Sequence, residues 1–108
     1  MHGYRITPEC RDDLLDIARY TLDTWGAEQY AYYRDQLADC FNRIASQIIV
    51  QRHFSKIYPE LCVVRCEHHY IFYFPPENDQ PAIVIAVLHE KMDCIARLKS
   101  RLDCGNQE

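Results

Sequence analysis

The residues best suited to chemistry lie together in one short segment of the chain, RCEHHYIFYF at positions 65–74. It places a guanidinium, a thiol and two adjacent imidazoles directly before a run of aromatic residues: Arg65, Cys66, His68 and His69. Side chains of these types occur in zinc sites, in nuclease pockets that work without a metal, and in ordinary strands. Their spacing and the rest of the sequence must decide between the three.

A zinc site is the first possibility, and its candidate ligands are Cys62, Cys66, His68 and His69. On an extended strand Cys62 and Cys66 stand about 13 Å apart at roughly 3.3 Å per residue. All ligands of one zinc lie within about 2.0–2.3 Å of the metal. A sharp turn would bring Cys66 and His69 together, with His89 as a further candidate, but two ligands do not make a site. We therefore predict neither a metal nor a cofactor.

A nuclease pocket is the second possibility, because RNA cleavage without a metal needs a base, an acid and a cation that stabilises the phosphate. The residues that could serve are Arg65, His69, Tyr73 and His89. The charge balance argues against this role, since the formal net charge is −4 and nucleic-acid-binding proteins usually carry a basic surplus. The sequence also has no glycine-rich phosphate loop, and we predict no catalytic residue.

Three segments have the hydrophobic spacing of amphipathic helices. The first begins at Thr7-Pro8, an N-cap residue followed by proline at the first helical position, and ends at Gly26. The second covers residues 27–48, so the two helices are expected to fold back as a hairpin. The third covers residues 92–102 and is locally basic, and residues 103–108 are predicted to form a flexible tail.

Strands are predicted at residues 4–6, 61–66, 69–74 and 82–89, which are mostly rich in Val, Ile, Tyr and Phe. Turns are expected at Glu67-His68 and at PPENDQP. The order is therefore β-α-α-β-β-β-α, an α+β fold. Both alternating sets of residues 82–89 are apolar, so one sheet face can pack on the helical hairpin. The other face needs cover from the last helix or from a partner.

The composition is that of an ordinary globular protein. The 108 residues predict a single domain over positions 1–108. No apolar run approaches the roughly 20 residues that span a bilayer, and the N-terminal residues lack the layout of a signal peptide. A cytoplasmic location is therefore expected, with no membrane contact and with the six cysteines reduced.

Three stretches resemble ParE toxins of the ParE/RelE toxin–antitoxin superfamily: YTLDTWGAEQYAYY, LCVVRCEHHYIFYF and VLHEKMD followed by a short helix. The similarity covers about residues 4–102 and is greatest to the plasmid-stability type of ParE. This resemblance implies an antiparallel sheet packed on the N-terminal helical hairpin. It also implies a toxin that inhibits DNA gyrase, blocks replication and is neutralised by a ParD-type antitoxin, with DNA contacted only through gyrase or the antitoxin.

One departure from the family bears on the nuclease alternative. Many ParE relatives carry RILH where this chain has AVLH, which puts Ala86 at the position of the arginine. Because RelE-like ribonucleases use an arginine on this strand, Ala86 argues further against RNA cleavage. A RelE-like, metal-independent mRNA endoribonuclease remains the alternative function, and a decayed toxin that still binds its antitoxin is a third interpretation.

Two sets of contact residues are predicted. The candidates for gyrase binding and toxicity are Arg65, His89, Lys91, Met92, Arg97 and Arg101. The candidates for antitoxin binding are the aromatic residues of the exposed part of the helical hairpin, Tyr20, Trp25, Tyr30 and Tyr33, together with the uncovered sheet face. Aromatic side chains suit this role because they anchor protein interfaces.

Overall fold

The computed structural model of the chain describes residues 3–49 and 51–104, without the side chains of residues 103 and 104. The elements follow the predicted order. They are β1 (Tyr4–Ile6), α1 (Pro8–Trp25), α2 (Ala27–Ala45), β2 (Cys62–Cys66), β3 (His69–Phe74), β4 (Ala82–His89) and α3 (Cys94–Cys104). The predicted α+β class is confirmed. Within these ranges, no helix is both long enough and apolar enough to cross a bilayer.

The helical hairpin forms at the positions that the sequence marks. Thr7 caps α1 by accepting a hydrogen bond from the backbone N–H of Cys10 at 3.2 Å. A single residue, Gly26, ends α1 and precedes α2. Its N–H donates to the carbonyl oxygens of Thr21 and Leu22, and its φ of 93° lies where only glycine is comfortable. One residue therefore reverses the chain.

The four strands form one sheet in the order β1-β4-β3-β2. The antiparallel pairing is confirmed for β2, β3 and β4, and the turn between β2 and β3 contains Glu67 with a φ of 56°. At the other edge β1 runs parallel to β4, with Tyr4 opposite Ala82. Parallel neighbours need a long connection, which the helical hairpin and the other strands provide.

The sheet is packed on both faces. On one face α1 and α2 cover Ile71, Tyr73 and Val87, and Phe41 and Ile44 of α2 belong to the same buried cluster. The other face carries a second buried cluster, in which Phe72, Ala86 and Leu88 pack with Leu98 of α3 and with Leu61. Phe54 and Tyr58, from the loop before β2, pack against this second cluster.

Of the two covers that the sequence allows for this face, the last helix is present, so the prediction of an uncovered sheet face for antitoxin binding is wrong. Phe72, Ala86 and Leu88 are all within 1% of complete burial. Leu98 of α3 and Phe54 of the loop before β2 cover this face. The face therefore needs no partner and is not available as a contact surface for one.

A bulge in β4 changes which residues share a face. Ala86 lies opposite Phe72 while Val84 lies opposite Tyr73, which leaves Ile85 as the extra residue. Strict alternation would place Ile85 with Val87 under the helical hairpin. Instead Ile85 and Ala86 both belong to the cluster under α3.

Helix ends differ from prediction by a few residues. α2 ends at Ala45 because Gln47 turns the chain with a φ of 59°, and Ile48 is left 71% exposed. α3 begins at Cys94 because the Asp93 carboxylate accepts a hydrogen bond from the N–H of Ala96, as an N-cap does. α3 extends to residue 104, so residues 103 and 104 of the predicted tail are helical, and residues 105–108 lie outside the described residues.

Candidate functional site

A groove of about 600 Å³ opens between the C-terminal half of α1 and the adjacent ends of β3 and β4. We call it the α1–sheet groove. Its lining comprises Asp16, Ile17, Tyr20, Thr21 and Trp25 of α1, Gln29 and Tyr33 of α2, and His68, His69, His89, Glu90 and Lys91. The groove therefore brings together antitoxin and toxicity candidates that were predicted to lie on separate surfaces.

The floor of the groove is a hydrogen-bonded chain that crosses from β3 to β2 through α2. The Tyr33 hydroxyl lies 3.2 Å from the carbonyl oxygen of Cys66 and also contacts Nδ1 of His69. A hydroxyl has one proton to donate, and the carbonyl can only accept. Both contacts are satisfied when Tyr33 donates to Cys66 and Nδ1–H of His69 donates to Tyr33. Nε2 of His69 is then unprotonated.

The floor carries polar groups in neutral form. Burial lowers the pKa of His69 to about 4, and the nearby imidazoles of His89 and His68 add to this effect. The rings of His69 and His89 lie edge to face, with centroids 5.1 Å apart. Burial also raises the pKa of Tyr33, so its hydroxyl stays protonated at neutral pH.

An ion pair closes the sheet-side rim. Arg65 donates through Nη2 to Oε2 of Glu90 at 2.8 Å and through Nε to the carbonyl oxygen of Glu67 at 3.0 Å. Nδ1 of His68 lies 3.5 Å from the same Glu90 oxygen. Although the Arg65 side chain is 55% exposed, its charge is already partnered, as expected of an arginine on a strand beside an acid.

His89 and Lys91 are arranged by a tight turn after β4. The backbone N–H of Lys91 donates to Nδ1 of His89 at 3.1 Å, so the neutral imidazole carries its proton on Nε2. The backbone N–H of Met92 donates to the carbonyl oxygen of His89 at 2.9 Å. Lys91 and Met92 are both exposed. These three toxicity candidates are therefore contiguous.

The toxicity candidates Arg97 and Arg101 lie four residues apart on α3, but they have different environments. Arg97 is exposed. The Arg101 side chain is only 17% exposed because both its terminal nitrogens bind the Asp13 carboxylate, at 2.6 and 2.7 Å. Nη1 of Arg101 also donates to the carbonyl oxygen of Ile85 at 2.9 Å. Arg101 thus joins α3 to α1 and β4, a structural role that does not favour it as a contact residue.

The four antitoxin candidates separate in the same way. Tyr20 and Trp25 are 64% and 66% exposed on α1. Tyr30 is half-buried beside a smaller apolar groove between α1 and α2, with the Arg34 guanidinium 5.7 Å from its ring centre. The assignment of Tyr33 to the exposed part of the hairpin is wrong, because Tyr33 is 8% exposed. Its ring packs in the core and only its hydroxyl reaches the groove floor.

The geometry bears on the metal and nuclease alternatives. Within the described residues, no group of three or more His, Cys, Asp or Glu side chains could hold a metal ion. Tyr73, cast as a nuclease group, is 1% exposed in the core, and burial raises its pKa to about 12. Ala86 is fully buried on the sheet face that α3 covers, away from His69 and His89. The nuclease set is therefore not assembled in one pocket.

The five cysteines whose side chains are described are free thiols, as predicted: Cys10, Cys40, Cys62, Cys66 and Cys94. Burial raises the pKa of the Cys10 thiol to about 12. Cys40 differs, because a hydrogen bond from the Cys66 thiol lowers the pKa of Cys40 to about 7. The same bond and burial raise the pKa of Cys66.

Five lining residues were not among the residues singled out from the sequence: Asp16, Ile17, Thr21, Gln29 and Glu90. Asp16 could have been found, because it lies four residues before Tyr20 and hence on the same helical face. Glu90 could not, because its position beside Arg65 depends on the pairing of β2, β3 and β4.

The family model described as "ParE toxin of type II toxin-antitoxin system, parDE" matches residues 4–94. The chain is 41% identical over 102 residues to "Toxin ParE" of Escherichia coli, a match that spans 94% of this chain and 98% of that one. Among solved structures, "Chromosomal ParDE TA system from P. aeruginosa" superposes with a TM-score of 0.64 at 13% identity, covering 82% of this chain and 96% of the other. The chain belongs to the ParE toxin family of type II toxin–antitoxin systems.

Proposed function

We propose that this toxin inhibits DNA gyrase by binding to it in the cytoplasm, without covalent chemistry, and so blocks replication. The observation that carries this proposal is the 41% identity to a ParE toxin over nearly the full length of both chains. Inhibition by binding agrees with the separation of the four predicted nuclease groups, since Tyr73 is buried in the core and Arg65 is bound to Glu90.

The second part of the proposal is a ParD-type antitoxin that holds the toxin inactive in a hetero-oligomer. The related solved structure is named as a ParDE system, which supports this kind of partner. The toxin itself has a formal net charge of −4. Because binding to phosphate backbones depends on many Lys and Arg contacts, this charge supports a toxin that contacts DNA only through gyrase or the antitoxin.

The surface that we assign to gyrase is the turn after β4 with the outer face of α3. His89, Lys91 and Met92 are contiguous there, and Arg97 lies exposed on the helix that follows. Arg65 is a secondary candidate because its guanidinium is already bound to Glu90. Arg101 is left out of this surface because of its bond to Asp13.

The test measures purified toxin in two assays side by side, gyrase supercoiling and cleavage of mRNA on translating ribosomes. We expect loss of supercoiling with intact mRNA. Lys91→Ala and Arg97→Ala should each weaken inhibition about tenfold, the scale of one well-placed interface charge. Lys99→Ala, which removes another exposed charge from α3, is the matched control and should have little effect.

Two results would contradict this proposal, and each would favour a different function. Unchanged supercoiling together with cleaved mRNA would favour the RelE-like ribonuclease. Absence of growth arrest when the toxin is induced without its antitoxin would indicate a decayed toxin that only binds its partner.

A further inference from the structure

The α1 wall of the α1–sheet groove contains an acid and two aromatic rings that have no partner among the described residues. Asp16 forms no ion pair or hydrogen bond with any other residue in the described ranges, and neither Tyr20 nor Trp25 has a ring or cation partner there. Asp16 and Tyr20 lie one helical turn apart, so they face the same way. Tyr20 and Trp25 are also among the most exposed large side chains of the chain.

The electrostatics of this wall favour a cation. Residues 8–45 contain eight acidic and four basic side chains, so the formal charge of this segment is −4. The formal net charge of the whole chain is also −4. The last turn of α1 has no basic residue, although the C-terminal end of a helix favours positive charge. Thr21 and Trp25 place the groove at this end of α1.

The opposite wall has the reverse character. Lys91 lines it and forms no ion pair within the described residues. The acid that lines this wall, Glu90, is bound by Arg65 and lies close to His68. The floor between the walls consists of the neutral Tyr33 and His69 side chains. An occupant of the groove is therefore oriented, with its positive group toward α1 and its negative group toward Lys91.

We infer that the α1–sheet groove binds an arginine side chain of the ParD-type antitoxin, held by the Asp16 carboxylate and the ring of Tyr20 one helical turn away, while the antitoxin backbone around that arginine covers Trp25 at the C-terminal end of the α1 wall. A planar guanidinium stacks on an aromatic face and binds a carboxylate at the same time, which an ammonium does less well. An acidic residue next to that arginine in the antitoxin contacts Lys91. This inference depends on the proposed pairing with a ParD-type antitoxin.

The test is built on Trp25, the only tryptophan of the chain. The antitoxin, with any tryptophan of its own replaced by phenylalanine, is titrated into the toxin, and binding is followed by Trp25 emission and by calorimetry. We expect the emission to shift to shorter wavelength as the exposed indole is covered. Asp16→Asn and Trp25→Ala should each weaken binding about tenfold or more, as interface anchors do.

Matched controls separate this site from a general effect. Asp23→Asn removes another exposed carboxylate of α1, and Leu15→Ala removes another exposed apolar side chain of α1. Both should leave the affinity within about twofold. Replacing the antitoxin arginines one at a time by glutamate should identify one whose loss is compensated by Asp16→Arg in the toxin.

The outcomes are distinguishable. Failure of the wild-type toxin to bind the antitoxin overturns both this inference and the proposed pairing. Tight binding with no emission shift, and with unchanged affinity in Asp16→Asn and Trp25→Ala, overturns the site alone. An emission shift on adding gyrase but not antitoxin, or on concentrating the toxin by itself, would assign the groove to gyrase or to a second copy and would likewise overturn the inference.

Discussion

Asp13 and Arg101 bind each other through both carboxylate oxygens and both terminal nitrogens, and together they replace a missing strand at the edge of β4. β1 pairs with β4 only as far as Val84. Beyond that point the carbonyl oxygen of Ile85 accepts from Arg101 at 2.9 Å, and the N–H of Val87 donates to Asp13 at 3.1 Å. The pair therefore satisfies backbone groups that the bulge and the end of β1 leave without a strand partner.

Loss of either member of this pair should strongly destabilise the fold. We expect Asp13→Ala or Arg101→Ala to lower the free energy of unfolding by roughly 3 kcal/mol, because each leaves a mostly buried charge without its partner. Asp13→Ala also removes the acceptor of the Val87 N–H. Urea denaturation measures the effect. Arg97→Ala, on the same helix but exposed, should cost less than about 0.5 kcal/mol. Equal effects at the two arginines would contradict the assignment.

The single-residue link at Gly26 predicts a backbone effect. Nothing lies within 4 Å of a Cβ built on Gly26, so space is not the obstacle, but its φ of 93° is unfavourable for any other residue. Gly26→Ala should therefore lower the free energy of unfolding by about 1–2 kcal/mol. Gly3→Ala has equal space and no positive φ, so its melting temperature should match that of the wild type. A neutral Gly26→Ala would show that the link relaxes.

His69 predicts a loss of stability in acid. Its pKa in the folded chain, about 4, lies below its ordinary value of 6.5, so the unfolded chain takes up the proton first as the pH falls. The stabilisation from a neutral His69 is complete above pH 6.5 and decreases progressively between pH 6.5 and 4.

Melting temperatures at about pH 7.5 and pH 5 test this dependence. The difference between them should shrink in His69→Gln, which cannot titrate, and should persist in His53→Gln, an exposed histidine of the loop before β2. In NMR spectra at pH 5, the chemical shifts of the His69 imidazole carbons should still be those of a neutral ring. Titration of His69 near pH 6.5 would refute the prediction.

Cys40 should be the most reactive of the described cysteines at neutral pH. Its pKa of about 7 makes it half thiolate there, whereas burial raises the pKa of Cys10 to about 12. With Cys104 replaced by serine, alkylation by iodoacetamide should modify Cys40 first, with half-maximal rate near pH 7. Cys66→Ala removes the hydrogen-bond donor and should shift this midpoint toward pH 9.0. Cys62→Ala, an equally buried thiol, should not.

The elements themselves could be predicted because their signals are local. Thr7-Pro8 and Gly26 fix both ends of α1, and the alternating apolar residues identify three strands within one residue of their observed bounds. The end of α2 was misplaced because Ile48 continues the helical spacing. Only the backbone turn at Gln47 shows that the helix ends before Ile48.

The bulge and the ion pair could not be read from the sequence. Both alternating sets of β4 are apolar, so inserting Ile85 changes the faces without changing the pattern. Arg101 looks like an ordinary solvent-exposed residue of a basic helix. Its partner Asp13 is 88 positions away, and nothing in the local pattern connects them.

The α1–sheet groove could likewise be predicted only where its residues give a local signal. Tyr20 and Trp25 were identified from their type and helical position, and both are exposed as expected. Their proximity to His89 and Lys91 depends on the packing of α1 against the sheet. Tyr33 was assigned to the exposed hairpin because a tyrosine on an amphipathic helix can face either side, and its hydroxyl contacts with Cys66 and His69 exist only in the folded chain.

The pairing of β1 with β4 also bears on when the chain can complete its fold during its own synthesis. The backbone and hydroxyl of Thr7 are bound by Val84 and Ile85, the latter 78 positions later. A nascent chain on the ribosome cannot close its sheet, or neutralise Asp13, until those later residues have emerged from the exit tunnel. Premature termination within this span therefore yields fragments without the completed fold.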